Sequence, residues 1–378
     1  MIKLGKTITY VFLQGRKQRL ESGNLISKEF FYSYFYAKEN FDNVNILEME
    51  NFEKTIKQSL LRKIDSFINK LTKLPIYTYA IFKKKNLDVF NNSDFIIMAN
   101  DRVAFSCFPL IILSKRKNKN ISFFVMGLFN KDPRFKIQIF LRNLLIKTMF
   151  NKVNKIFFLG KREYKHALEN FNKFKEKFVF LPFSIDTSFW KSQENNSFEN
   201  KKDILFIGND GNRDYEFVVE LAGRMHEYNF HFITEKIEQN EKLSKNINLI
   251  KGSWGLEQLS DQQIRDYYDK SKITIIPIKE TNQPSGQSVA LQSMSMGTPV
   301  IMTKVKGFWD EENFQDKKHL SFIKENKLDE WEYLIKDIYN NKEKYEYLSK
   351  NGEKLIHSMY NIDKFDEVVF SSIGLKHE

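Results

Sequence analysis

Only one cysteine, Cys107, occurs in 378 residues. That excludes an internal disulfide and any multi-cysteine metal site, so nothing calls for an oxidising compartment and a reducing cytoplasm is the expected setting. Histidine is scarce too. The six, at positions 166, 226, 231, 319, 357 and 377, show no zinc-like spacing, and a solvated or core role is expected for each. Long apolar runs are missing: the stretches around 103–113 and 155–159 are far shorter than the ~20 residues of a membrane helix, and the first contains Pro109. Residues 1–11 carry Lys3 and Lys6, but their apolar residues alternate with Thr, so no export leader is expected.

What is present is the balance of a folded chain, 42% hydrophobic and 29% charged residues. Sixty Lys and Arg against 48 Asp and Glu leave a net charge of +12. Such an excess suits an anionic partner, a phosphate or an acidic membrane surface, although lysine scattered among abundant Asn, Ile and Phe also follows from an AT-rich coding sequence. The charge is not clustered into a recognised module, so no nucleic-acid partner is expected. At ~150 residues per domain the length predicts two or three domains.

Apolar, β-branched and aromatic runs at 7–14, 44–47, 94–99, 121–126, 155–159 and 178–181 read as strands, with helix-length segments between most of them. Strands alternating with helices predict a parallel α/β sheet. Residues 191–202 (KSQENNSFENKK) lose apolar periodicity and read as a linker. Strands then resume at 203–207, 230–234, 247–250, 273–277 and 299–303. The expected architecture is α/β: a Rossmann-like doubly wound domain over 1–190, a linker at 191–202, a second such domain over 203–355, and a helical tail over 356–378 that caps the second domain or crosses back to the first. Ligands of such pairs bind where the carboxyl ends of the two sheets face a cleft.

The most informative segment is 273–303, ITIIPIKETNQPSGQSVALQSMSMGTPVIMT. It parses as strand, polar loop, helix, glycine stop and strand, with Ser285 and Gly286 opening the helix and Gly297 ending it. The helix start then lies beside the strand's carboxyl end, where free N–H groups of Ser285, Gly286, Gln287 and Ser288 make an anion site. An ordinary helix cap is the competing reading.

The same segment resembles the donor-site signature of family-4 glycosyltransferases of the GT-B fold, matching at Met294, Gly297, Pro299, Val300 and Ile301. Three further stretches are similar and in register. FLPFSIDTSFW (180–190) matches at Pro182, Ile185, Asp186 and Phe189. ILFIGNDGNRDY (204–215) resembles the first donor-domain strand and its turn at Gly208. Residues 250–277 match at Gly252, Tyr268 and Pro277. The resemblance covers residues 155–360, and the first 150 only by architecture.

It implies a transferase acting on a nucleotide sugar, with a glycan or lipid-linked acceptor, retention of anomeric configuration, and a cytoplasmic location, peripheral at the inner face of an acidic membrane. The segment 135–155, basic and amphipathic in pattern, suits that surface; packing of Ile139, Leu141, Leu144, Leu145 and Phe150 into the first core is the alternative. No Asp-x-Asp occurs in the chain, so a metal-independent reaction with no cofactor is expected. Departing pyrophosphate needs cations and N–H donors. The expected donor-binding residues are Gly208, Asn209, Arg213, Ser253, Ser285, Gly286, Gln287, Ser288 and Gln292. Arg213 resembles the family's basic phosphate-gripping residue, and its pairing with Asp214 or Asp210 on a surface turn is the alternative. Trp254 stacks on the base or sits in a core.

Two departures stand out. Gln292 replaces the glutamate with which the family holds the ribose, and the family's other glutamate has no counterpart among Thr281, Asn282, Gln283 and Pro284. On the acceptor side Gly15, Arg16, Asn100 and Gly127 follow strands of the first domain, with Asp101 and Arg102 as catalytic candidates; Asp101 also reads as a helix cap. The family's histidine after the 121–126 strand is absent here, where Met126 and Gly127 stand. These gaps leave two other functions open: a degenerate, non-catalytic nucleotide- or carbohydrate-binding protein of the same fold, and a sugar-nucleotide epimerase.

Overall fold

The computed structural model describes residues 4–50, 56–115, 119–131, 133–192, 197–240, 243–252 and 259–375. Two six-stranded, wholly parallel sheets organise it. The first contains β1 (Leu4–Phe12), β2 (Phe41–Glu48), β3 (Phe95–Met98), β4 (Asn120–Val125), β5 (Lys155–Phe158) and β6 (Phe178–Phe180), in the order β2-β1-β3-β4-β5-β6. The second contains β7 (Asp203–Ile207), β8 (Phe230–Ile233), β9 (Ile247–Ile250), β10 (Ser271–Ile276), β11 (Val300–Thr303) and β12 (Ser321–Ile323), in the order β12-β11-β10-β7-β8-β9. Central strands such as FIIM, NISFFV and SKITII are buried along almost their whole length, as strands covered by helices on both faces must be. Each order reverses beside its first strand, at β1/β3 and at β7/β10, and ligands of open parallel sheets bind at such points.

Each sheet belongs to its own compact unit. The first comprises Met1–Ser22, Phe30–Pro182 and Asp366–Glu378, the second Gly23–Glu29 and Phe183–Phe365. The changeover lies at Pro182–Phe183, ahead of the polar stretch 191–202 expected as the linker. The reason is in the bonds of residues 185–190: the Ile185 N–H donates to Tyr360 O at 2.9 Å, and Ser295 Oγ donates to Trp190 O at 2.6 Å. The second unit's core gathers Phe206, Phe232, Ile275, Ile301 and Trp331. It extends through two helices, Leu328–Asn340 and Lys342–Met359, into a third, Ile362–Ser372, whose later residues return the chain to the first unit. There Phe370 meets Tyr36 and Phe41, with centroids 4.6 and 5.5 Å apart, and Asn120 Nδ2 donates to Ile373 O at 2.9 Å.

The helix Lys136–Lys152 departs from the sequence reading. Phe150 and Ile146 are buried and Leu145 packs on the core, but Ile139 and Leu144, expected inside, are exposed. Apolar residues occur on both its inner and outer faces, so it is not amphipathic in the sense its basic pattern suggested.

Candidate functional site

In the second unit two loops leave the carboxyl ends of β7 and β10, the strands that flank the reversal of strand order. Backbone bonds join them: Asp214 N–H donates to Pro277 O at 3.0 Å and Lys279 N–H to Asn212 O at 2.8 Å, around a bridge between Arg213 and Ile278. This brings Arg213 to Ser285, 72 residues away in sequence. Arg213 is buried, and its Nη1 donates to Ser285 Oγ at 2.8 Å and to Asp210 Oδ2 at 2.9 Å. Ser285 Oγ in turn donates to Asp210 Oδ2 at 2.9 Å. Asp210 is held by its own turn, Oδ1 accepting the N–H groups of Asn212 (2.9 Å) and Arg213 (3.1 Å). So Arg213 does pair with Asp210 of the turn: the arginine is buried, the carboxylate stays half-exposed, and Ser285 bonds to both.

Glycine is required at two points of this site. A Cβ on Gly208 would lie 2.7 Å from Arg213 Cγ, so the arginine stem packs directly over the Gly208 backbone. Gly286 precedes the helix Gln287–Ser295 with φ of 77°, and a Cβ there would lie 2.8 Å from Ile276 Cγ2. The first intrahelical bond runs from Ala290 N–H to Gly286 O, leaving the N–H groups of Gln287, Ser288 and Val289 without an intrahelical acceptor. Beside them the Gln287 side chain is buried with neither its oxygen nor its nitrogen bonded among the described residues, and Arg213 Nε is likewise unbonded. Buried polar groups are satisfied in nearly all folded proteins. Here unsatisfied donors collect beside a guanidinium and a helix N-terminus, and that arrangement can hold a phosphate or another compact anion.

Other expected donor residues have different employment. Asn209 ties three loops together, donating to Gly252 O at 2.6 Å and accepting from Thr234 Oγ1 (3.1 Å) and the Glu235 N–H (2.6 Å). Ser288 is half-buried in the first helical turn. Ser253 and Trp254 lie outside the described residues. Gln292 accepts from the Tyr268 hydroxyl at 3.2 Å and donates to Glu29 Oε1 at 2.9 Å. Glu29, which the sequence reading missed, also accepts from Trp190 Nε1 at 2.6 Å. Burial pushes its carboxyl up to about 7 against the opposing pull of those bonds. An amide at position 292 is what this carboxylate needs, since an ionised glutamate has no proton to donate.

In the first unit, the loops after β1, β3 and β4 carry the residues expected on the acceptor side. Gly15 takes φ of 103° and starts a short helix in which Arg16 is buried over the Phe12 ring. Burial lowers the Arg16 guanidinium to about 10. The cap of the helix Asp101–Ser106 is Asn100, whose Oδ1 accepts the Val103 N–H at 2.9 Å, and not Asp101. Buried Asp101 instead accepts the Met126 N–H at 3.1 Å, and burial raises its carboxyl. Exposed Arg102 lies over the Tyr77 ring at 5.5 Å. Gly127, with φ of 113°, is held by a second carboxylate absent from the sequence reading: Glu163 accepts the N–H groups of Gly127 (2.9 Å) and Phe129 (3.1 Å). Burial, with a contribution from Asp101, pushes Glu163 up to about 7. Among the described residues no group of three His, Cys, Asp or Glu side chains is placed to hold a metal ion.

Residues 188–355 match the family described as glycosyl transferases group 1. That matched stretch, under half of the chain, is similar to a glycosyl transferases group 1 domain. The network of Arg213, Ser285 and Gln287 lies wholly within the matched residues. No curated protein matches the chain. Among solved structures it is similar to a sucrose-phosphate synthase from Thermosynechococcus elongatus, at 11% identity and a TM-score of 0.68 over 97% of this chain and 98% of that one. Anabaena HepE in complex with UDP-glucose gives 8% identity and a TM-score of 0.58 over 97% and 99%. TarM gives 15% identity and a TM-score of 0.56 over 76% of this chain, which spans 58% of TarM's length. At these identities the likeness is one of fold, and the two doubly wound α/β units of the GT-B class are the fold expected from the sequence. No helix among the described residues is long and apolar enough to cross a membrane.

Proposed function

We propose that the chain transfers a sugar from a nucleoside diphosphate sugar to a glycan or lipid-linked acceptor, without a metal and with retention of configuration. One observation carries this: at the β7/β10 reversal, Arg213, the start of the Gln287–Ser295 helix and the unbonded Gln287 amide share one buried site. Leaving-group chemistry at a pyrophosphate needs preorganised positive charge and N–H donors aimed where negative charge grows. Arg213 supplies a permanent, two-pronged cation, and the helix start supplies donors that cost no reorganisation. Asp210 keeps Arg213 oriented in the absence of ligand. The absence of Asp-x-Asp from the sequence supports metal independence. Retention rests on the family resemblance, and so does assignment of Gly15, Arg16, Asn100, Asp101 and Gly127 to the acceptor side. Peripheral association with an acidic membrane belongs to the same reading, for a lipid-linked acceptor.

HepE has been crystallised with UDP and with UDP-glucose, which makes UDP the first nucleotide to test. Isothermal titration with UDP, GDP and ADP is expected to show binding of one of them, and Arg213→Ala to weaken it by about 2–3 kcal/mol, the worth of a charge-assisted pair. No binding by any of the three, or unchanged binding in Arg213→Ala, would overturn the site.

A further inference from the structure

Sixteen large apolar side chains are exposed among the described residues, and eight of them lie on two helices of the first unit and the residue preceding the second. Those helices, Ile56–Thr72 and Lys136–Lys152, pack against each other. On the first, Leu60, Ile64 and Phe67 recur at i, i+4 and i+7 and form one stripe; on the second, Ile137, Phe140 and Leu144 do the same at i, i+3 and i+7. Leu60, Phe67 and Phe140 are 63%, 67% and 62% exposed. Single exposed apolar residues are ordinary on a soluble surface, but a concentration of this kind marks a surface that meets something apolar.

The charge on the same two helices says what. Between residues 56–72 and 136–152 the sequence holds one acid, Asp65, and it is buried, accepting the Tyr79 N–H at 3.2 Å. Lys63, Lys70, Lys136 and Lys147 are exposed around the stripes, with Arg134 just before the second helix. A second copy of the chain would bring lysine against lysine. An anionic bilayer answers both features, accepting Phe, Ile and Leu at its acyl boundary and the lysines at its headgroups. We infer that the paired Ile56–Thr72 and Lys136–Lys152 helices form the surface by which the chain docks on an anionic membrane. The inference deepens the transferase reading, resting on it only for the idea that the acceptor is lipid-linked.

The test is flotation of the full chain with vesicles of phosphatidylcholine alone and with about 30% phosphatidylglycerol added. Binding is expected to the anionic vesicles and to fall in about 0.5 M NaCl, where screening lengths shrink to a few Å. Phe67→Ser with Phe140→Ser should lower partitioning about hundred-fold, ten-fold for each aromatic removed. Lys63→Gln with Lys136→Gln should lower it about 25-fold, five-fold for each charge. Nucleotide titration should be unchanged in both variants, which shows them folded, and absence of nucleotide binding by the wild-type chain counts against the transferase reading and not against docking. Equal binding to neutral vesicles, no binding to either, or full binding by both variants overturns the inference. So does a wild-type dimer in sedimentation that the Phe67→Ser, Phe140→Ser variant dissociates, which would assign the surface to a second copy.

Discussion

Glutamate in place of Gln292 would set a second carboxylate against Glu29, at a contact now closed by an amide donating over 2.9 Å. Both side chains are buried. Two full charges ~3 Å apart repel by about 5–6 kcal/mol even at an effective dielectric of ~20. Keeping one carboxyl protonated at pH 7 costs about 3–4 kcal/mol, given an ordinary pKa near ~4.3. Protonation is the cheaper outcome, so the folded variant takes up one proton more than its unfolded chain and loses stability as pH rises. Wild-type Glu29, raised to about 7, already carries nearly the same cost at pH 5 and pH 7, so the deficit of the variant relative to wild type opens above pH 7 and should reach about 2–3 kcal/mol at about pH 9.

Wild type slopes the same way for its own reason: with Glu29 raised to about 7 by burial, the stability it contributes is complete below the unfolded value and is lost as pH rises through about 7. Urea unfolding followed by tryptophan fluorescence measures this in the right place, because all four tryptophans (Trp190, Trp254, Trp309, Trp331) fall in the second unit's span. The swapped pair, Glu29→Gln with Gln292→Glu, restores one acid and one amide and should recover most of the loss. Equal stability of Gln292→Glu and wild type at about pH 9, or a swap no better there than the single change, would overturn this account.

Three other substitutions test the sites directly. Gly208→Ala pushes the Arg213 stem from contact at 2.7 Å; nucleotide affinity should fall about ten-fold by titration, a shift of ~1.4 kcal/mol, with the melting temperature nearly unchanged. Gly286→Ala combines a φ of 77° with a 2.8 Å clash on Ile276, so it should lose both affinity and about 2 kcal/mol or more of stability, read by calorimetry. Glu163→Ala strips the acceptors from Gly127 and Phe129, and hydrogen exchange at those two amides should accelerate while exchange in the second unit stays as it is.

Most of the scaffold could be read from local pattern. The eleven strands expected along the chain all occur: the central ones are apolar runs buried on both faces, and the edge strands β2, β6 and β9, less buried, still stand out between polar or helical segments. β12 was missed: three residues, SFI, are too few to show a period. Arg213 and Ser285 were legible because each follows a strand end in a loop of fixed length. Their mutual contact through Asp210 was not, since it depends on two loops zipping together. Glu29 was invisible for a stronger reason. It stands in the run KEFFYSYF, 263 residues from Gln292, and nothing local says that its carboxylate meets an amide so far along the chain. Seen beside Glu29, Gln292 ceases to be a gap in a motif and becomes half of a pair.

The division of the chain also bears on how the protein is made. Its seven-residue piece Gly23–Glu29 leaves the ribosome early and belongs to a unit whose remainder starts at Phe183, while the first unit waits for Asp366 and beyond. Trp190 and Gln292 therefore emerge with their acceptor Glu29 already made, while Phe41 stands without Phe370 until the end. A buried core of each unit comes from a contiguous stretch, Val11–Phe178 in the first and Ile204–Leu348 in the second, so what each borrows from a distant part of the chain is a set of contacts around it. A fragment cut at 183–365 would carry the transferase signature yet leave buried Trp190 and Gln292 donors unmet, and supplying residues 23–29 in trans as a peptide should stabilise it.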